Sequence, residues 1–358
     1  GYAALTANTT ASNNTAVGKS ALTANTTGAT NTTVGAQSLM TNTTGSNNTA
    51  LGYYVMQANS TGTENVAVGA YALDANTTAS YNTAVGRDAL TANTTGANNV
   101  ANGYRSLKAN TTASTNTGVG ASSLAANTTG AANTGLGSGA LASNTTASNN
   151  TAVGTSALLL NTTGANNVAV GSLTLDAATT ANDNTAVGQG SMSATTTGAS
   201  NTAVGLSSIY TNTTGAYNTG IGTGALFANT TADSNTAVGY HAGYAVTDGH
   251  TNTFVGSEAG DSITTGDENV AIGHGALDGT DGTVSGNTAV GTDTMAHASY
   301  AGTYNTAVGY NAMLLATSAT GTTAIGNQCL DALTTGDNNT GVGAGALGAN
   351  TTADNNTA

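Results

Sequence analysis

Asn14-Thr15-Ala16-Val17-Gly18-Lys19-Ser20-Ala21-Leu22-Thr23-Ala24-Asn25-Thr26-Thr27-Gly28-Ala29-Thr30 is one unit of this chain, and the next begins at Asn31. The glycine in fifth place returns as Gly35, Gly52, Gly69 and Gly86, and keeps the seventeen-residue spacing to Gly273. Two steps of eighteen follow, to Gly291 and Gly309, and then seventeen again to Gly326 and Gly343. A fixed period of this length is the signature of one small supersecondary unit stacked on itself. It predicts an all-β solenoid or β-roll of about 21 coils, as a single repeat array over residues 1–358.

Within the unit, Thr15 and Val17 alternate with Ala16, which is strand geometry. The Thr site becomes Val in Val66-Ala67-Val68, Val168-Ala169-Val170 and Val270-Ala271-Ile272. That pattern reads as an inward Thr/Val face, with Val17, Val68, Val153 and Ile272 in the core. The middle residue is kept small, as Gly118, Gly135 and Gly220 show, so this face is expected to pack closely against something. A second aliphatic site lies four residues after each glycine, at Leu22, Leu73, Leu158 and Leu277. It predicts a second short strand, and so two parallel-stacked strands per coil. About six residues between turn signals are too few for a helix to nucleate. Gly18, Gly35 and Gly52 are assigned to one turn; Asn25-Thr26-Thr27-Gly28 makes the other, with Gly28 at φ > 0. Stacking in register places Asn14, Asn31, Asn48 and Asn65 in one column, an amide ladder. At about 4.8 Å per coil the array would be a rod on the order of 100 Å long.

Asn269-Val270-Ala271-Ile272-Gly273 and its relatives resemble the YadA-like head repeats of trimeric autotransporter adhesins. The fuller unit Asn-Thr-Ala-Val-Gly-x-x-Ala-Leu-x-x-Asn-Thr-Thr-Gly more closely resembles the repeat arrays of bacterial and phage tail-fibre-like proteins, as does Asn252-Thr253-Phe254-Val255-Gly256-Ser257-Glu258-Ala259-Gly260. The resemblance covers essentially the whole chain. It implies a β-roll in a trimer and an extracellular, cell-surface or virion location. The repeats start at Gly1 and break off inside a unit at Asn355-Asn356-Thr357-Ala358, which reads as a fragment of a longer polypeptide or the traced part of a fibre. Two aliphatic side chains per coil are a thin core for seventeen ordered residues. Side-by-side association, with the Ala/Gly face buried against another copy, is therefore expected, most naturally three-fold.

The formal net charge is −13, with four basic residues and seventeen acidic ones. Such a surface repels a nucleic-acid backbone. No apolar run reaches the length of a membrane span. Lys19, Arg87, Arg105 and Lys108 all lie early, while eleven of the seventeen acids follow Gly239; a solvated surface is the simpler reading of this bias, and head-to-tail contacts are the alternative. Cys329 has no partner cysteine, so no internal disulfide forms. It is expected to be a small, inert residue.

Candidate chemistry gathers between residues 240 and 325. The Leu site becomes Gly243 and Gly260 there, and both eighteen-residue coils fall in this stretch. Each insertion lies between the aliphatic site (Leu277, Met295) and the next ladder residue (Asn287, Asn305). Bulges on one edge would suit a receptor or glycan contact. His241 and Glu258 share a phase one coil apart, the sole candidate metal pair; a solvated, varied surface is the simpler reading. No cofactor motif and no catalytic set with a pocket is present, so no enzyme activity is expected. Asn-Thr-Thr and Asn-Asn-Thr triplets match the N-glycosylation pattern. Thr columns raise an ice-binding alternative, but adjacent turn threonines diverge. The reading is a self-associating structural rod of a fibre or adhesin.

Overall fold

The computed structural model describes residues 1–279 and 282–358. It divides into two compact units, Gly1–Ala181 and Asn182–Ala358. Each is a parallel β-solenoid. In the first unit, three-residue strands run from β1 (Thr15–Val17) to β10 (Val168–Val170). In the second they run from β11 (Thr185–Val187) to β20 (Thr340–Val342). Within each unit successive strands pair in parallel and in register, as in Thr15↔Thr32, Ala16↔Thr33 and Val17↔Val34. Ladder partners are one repeat apart, which is the structural meaning of the seventeen-residue period. No helix occurs among the described residues.

The strand is the only regular element of the coil, so the expectation of two strands per coil is corrected. The Ser20-Ala21-Leu22 side is a run of turns, with Ser20 at φ 56° and Leu22 at φ 52°. Left-handed conformation at every second residue excludes a β-strand. The backbone still bonds from coil to coil: Leu22 N–H donates to Ser38 O (3.0 Å), Ala24 N–H to Met40 O (3.1 Å) and Gln37 N–H to Lys19 O (2.9 Å). A Leu in this region costs about 1–2 kcal/mol of steric energy. Full burial of Leu22, Leu73, Leu158 and Leu277 offsets it.

The inside and the outside of the strand are the reverse of the sequence expectation. Val17 is 55% exposed and Ile272 39% exposed, and Val68 and Val153 are only partly covered. The middle residues are the buried ones, with Ala50, Ala67, Ala84 and Ala101 at zero exposure. The interior leaves little room for the strand's inward residue, which is Ala or Gly except at Thr33 and Phe254, because Leu22 and Ala21 enter it from the opposite side. The small face is therefore the core lining and cannot be the surface that meets a second copy.

Size compensation inside this lining is visible coil by coil. A Cβ on Gly118 would lie 2.5 Å from Ser106 Oγ, one on Gly135 2.5 Å from Ser123 Oγ, one on Gly220 2.7 Å from Ser208 Oγ, and one on Gly341 2.7 Å from Cys329 Sγ. All four strand-centre glycines thus face a Ser or Cys where the repeat unit has Ala21. The serine hydroxyl uses the room: Ser106 Oγ–H donates to Gly118 O at 2.8 Å. Gly118→Ala should therefore cost about 1–3 kcal/mol by overpacking. Adding Ser106→Ala should recover most of it, which chemical denaturation of the four-member cycle would show.

Two amide ladders complete the core. Asn31 N–H donates to Asn14 Oδ1 (2.9 Å) and Asn31 Nδ2–H to Gly45 O (2.9 Å); Asn48 and Asn65 repeat the pattern. The second ladder, which the sequence reading treats only as turn chemistry, is built by the turn asparagines. Asn25 Nδ2–H reaches Asn8 Oδ1 at 2.9 Å and Gly28 O at 2.8 Å. The last Asn of a run has no next rung: Asn161 Oδ1 precedes Ala178, Asn229 Oδ1 precedes Val246, and both oxygens lack a partner. Gly28 is not at positive φ; the left-handed residue of this turn is Thr30, at φ 60°. Gly18 is at φ 139°, and a Cβ there would strike the carbonyl oxygen of Gly35. That close approach of backbones explains why the position is glycine in every coil.

Candidate interaction surface

Outward-pointing β-branched residues make each sheet a flat apolar face. In the second unit its two columns hold nine Thr and Val270 on one side and ten Val or Ile residues on the other. No charged or amide side chain interrupts them. Val204, Ile221, Val255, Ile272, Ile325 and Val342 are each at least 36% exposed. The first unit presents the same face, with Asn102 as the one polar break in its aliphatic column. These threonines come from the strand, not from the turn. A β-sheet holds their hydroxyls parallel, so the divergence expected of turn threonines does not apply here.

Beside this face runs a ridge formed by the two residues that follow each repeat glycine. In the first unit it carries Tyr53 and Tyr54, whose ring centroids are 4.3 Å apart, and Arg105, which lies 4.9 Å over Tyr104. Asp88 stands between Arg87 (3.6 Å) and Arg105 (3.8 Å). In the second unit His274 lies 3.9 Å from Glu258 and 3.7 Å from Asp293. His241 stacks between Tyr240 (3.9 Å) and Tyr244 (4.5 Å). The ionic neighbour of Glu258 is therefore His274, and the pairing of His241 with Glu258 as metal ligands is corrected. Their shared phase places the two backbones one above the other, but the imidazole turns aside to stack. Among the described residues no three His, Cys, Asp or Glu side chains converge as a metal site would need.

The irregular coils redistribute core volume inward. Phe254, at the centre of β15 (Thr253–Val255), is wholly buried. A Cβ on Gly243 would be 2.7 Å from its Cδ2, and one on Gly260 would also collide with the ring. The two missing leucines are thus the space occupied by one phenylalanine. Val246 and Ile263 replace turn asparagines in the same coils and are also buried. The first insertion includes residues 280 and 281, which lie outside the described residues. In the second, Tyr300 is completely buried, and its hydroxyl donates to Asn287 Oδ1 (3.1 Å) and accepts from Asn305 Nδ2–H (2.6 Å). In this lengthened coil Tyr300 thus joins the ladder, while Ala298 and Ser299 beside it are exposed.

Many acids of the second unit have local structural work. Asp233 Oδ1 accepts from Ala216 N–H, Asp267 Oδ1 from His250 N–H and Asp337 Oδ1 from Thr320 N–H. Ser46 does the same for Ala29 N–H. Asp261 differs. Burial, then its hydrogen bond with Asp278, then the charges of Asp278 and Glu258 push its pKa up to about 7, against the pull of the Ser262 hydroxyl. A raised acid favours the folded state fully below its unfolded pKa, and that advantage is lost as pH rises to about 7. Asp261→Asn should therefore melt above the parent at pH 8, with the gap closing toward pH 4 in paired thermal melts.

Cys329 takes an Ala21-type position and is buried. Burial pushes its thiol up, away from the thiolate that reactivity requires. In the Asn-Thr-Thr triplets Asn25 and Asn42 are fully buried with Nδ2 committed to the ladder, so the folded turn does not offer them for glycosylation. Asn47 of Asn47-Asn48-Thr49 remains exposed. No helix among the described residues is long and apolar enough to cross a membrane. No protein-family model matches the chain, and no characterised protein matches its sequence.

Proposed function

We propose that this chain is a structural element of an extracellular fibre or surface adhesin, and that copies associate side by side, most naturally in threes, through the Thr/aliphatic sheet face. The observation that carries the reading is the unbroken outward column of Val and Ile in the second unit. Contiguous exposed apolar surface of this kind marks an interaction site. Ten strands at about 4.8 Å spacing and about 10 Å width give on the order of 500 Å² per unit. The role is mechanical: strand ladders and amide columns resist extension, and coil number sets reach. No catalytic step is involved.

Native mass spectrometry in volatile salt tests the proposal. The parent chain should appear as an oligomer. Val204→Glu with Ile221→Glu, both outward and harmless to the core, should yield folded single chains. A parent that is already a folded monomer would end the reading.

The same charge-free Thr column supports a second reading, in which the face orders water against ice. It predicts a monomer showing thermal hysteresis that Thr202→Lys with Thr219→Lys abolishes. An oligomer without hysteresis removes it.

A further inference from the structure

Charge is divided between the two units completely. The first holds all four Lys and Arg residues and four acids, Glu64, Asp74, Asp88 and Asp176, so its formal charge is zero. The second holds the other thirteen acids and no Lys or Arg, so it carries the whole net charge of −13. Three of the four cations, Lys19, Arg87 and Arg105, stand on the ridge beside the repeat glycine. Glu258 and Asp293 occupy the same ridge in the second unit, with His274 between them.

The cationic stretch is open. The Arg87 side chain is 65% exposed and that of Arg105 46%. Their shared carboxylate, Asp88, is 3.6–3.8 Å away, beyond hydrogen-bond length, and one carboxylate cannot neutralise two guanidinium groups. Tyr104 lies under the Arg105 guanidinium and is more than 40% exposed. Arg and Tyr together are the side chains enriched at protein interfaces. On the acidic stretch Glu258 and Asp293 are 40% and 43% exposed, and neither meets a Lys or Arg. Planar carboxylates are what an open guanidinium fork binds in bidentate fashion.

We propose that the Arg87–Arg105 ridge is a docking surface for the acidic ridge around Glu258 and Asp293 of a second copy of this chain. Contact is ridge to ridge, and it pairs the first unit of one molecule with the second unit of another. Copies aligned with like units side by side place −13 against −13, whereas this staggered pairing sets the neutral, cation-bearing unit against the charged one. The inference does not depend on the sheet-face proposal. The two contacts use different surfaces and respond oppositely to salt, since apolar association survives salt and exposed ion pairs do not.

Sedimentation velocity of the full chain from about 20 mM to about 500 mM NaCl is the test, because the screening length falls to a few ångströms across that range. At low salt the parent should form a larger species than at high salt, with apparent affinity changing about tenfold or more. Arg87→Glu with Arg105→Glu should remove the salt-sensitive step, as should Glu258→Lys with Asp293→Lys. All four sites are exposed, and unchanged circular dichroism would confirm intact folds. Mixing the two charge-reversed proteins should restore the step, because the acidic ridge of one then meets the lysines of the other. A salt-sensitive step that survives the Arg reversals, or a mixture that fails to restore it, overturns the proposal. So does a parent with no salt-sensitive step that nevertheless retains heparin, which would assign the ridge to an anionic polysaccharide. Loss of the high-salt oligomer alone would speak only against the sheet-face contact.

Discussion

Asn99→Asp should destabilise the first unit by about 3–5 kcal/mol at neutral pH, the cost of leaving a buried charge without compensation. Asn99 is completely buried. Its Nδ2–H donates to Ala113 O (2.9 Å) and Asn82 Oδ1 (3.2 Å), and its Oδ1 accepts from Asn116 N–H (2.9 Å). The substitution keeps the shape but turns the donor into an acceptor that faces two oxygens. A protonated carboxyl could donate again, so the folded state would hold the proton tightly. The sign follows: the variant should be nearest the parent in acid and fall away as pH rises. Urea titrations at pH 4 and pH 8 check both size and direction. An equal loss at the two pH values would mean that the damage is steric and that the ladder is not an obligatory donor–acceptor column.

Phe254→Ala should cost the second unit about 3–5 kcal/mol, the usual range for deleting a buried aromatic ring. The neighbourhood cannot collapse into the gap, because the two positions that elsewhere supply leucine are Gly243 and Gly260. The triple change Phe254→Ala, Gly243→Leu and Gly260→Leu should restore most of the stability, since it returns the common repeat residues at those three positions. Both glycines sit near φ 58°, where Leu22 and its equivalents already reside, so the backbone accepts leucine. Gly260→Leu alone should be as harmful as the phenylalanine deletion, because its Cβ would enter the ring. Thermal melts of the parent and the three variants would establish the order.

The period, the register and the lack of a helix among the described residues were legible because they depend only on what repeats. The Asn14 column was legible for the same reason. Orientation was not. Thr-Ala-Val alternation says that two faces differ, and hydrophobicity places Val inside; what decides it is the interior width, which Leu22 and Ala21 consume from the far side. That information is nonlocal. The second ladder was hidden because Asn25 reads as a turn residue whether or not its amide points inward. The Phe254 exchange was half visible: the glycines at 243 and 260 and the odd phenylalanine at 254 were all readable, but their complementarity needs the knowledge that the strand centre faces inward. The ridge was missed because its residues have no sequence pattern beyond following the repeat glycine.

Nearly every bond described joins a coil only to the one before or after it. Excising a whole regular repeat therefore leaves a joint close to the original, except among coils that share a fitted side chain such as Phe254 with Gly243 and Gly260, while excising part of one misplaces both asparagine columns at once. Recombination or replication slippage between near-identical gene segments would yield shorter and longer alleles that fold equally well. Length is then a trait that selection can tune without passing through an unfolded ancestor, and lineages should differ in repeat number more readily than in repeat sequence.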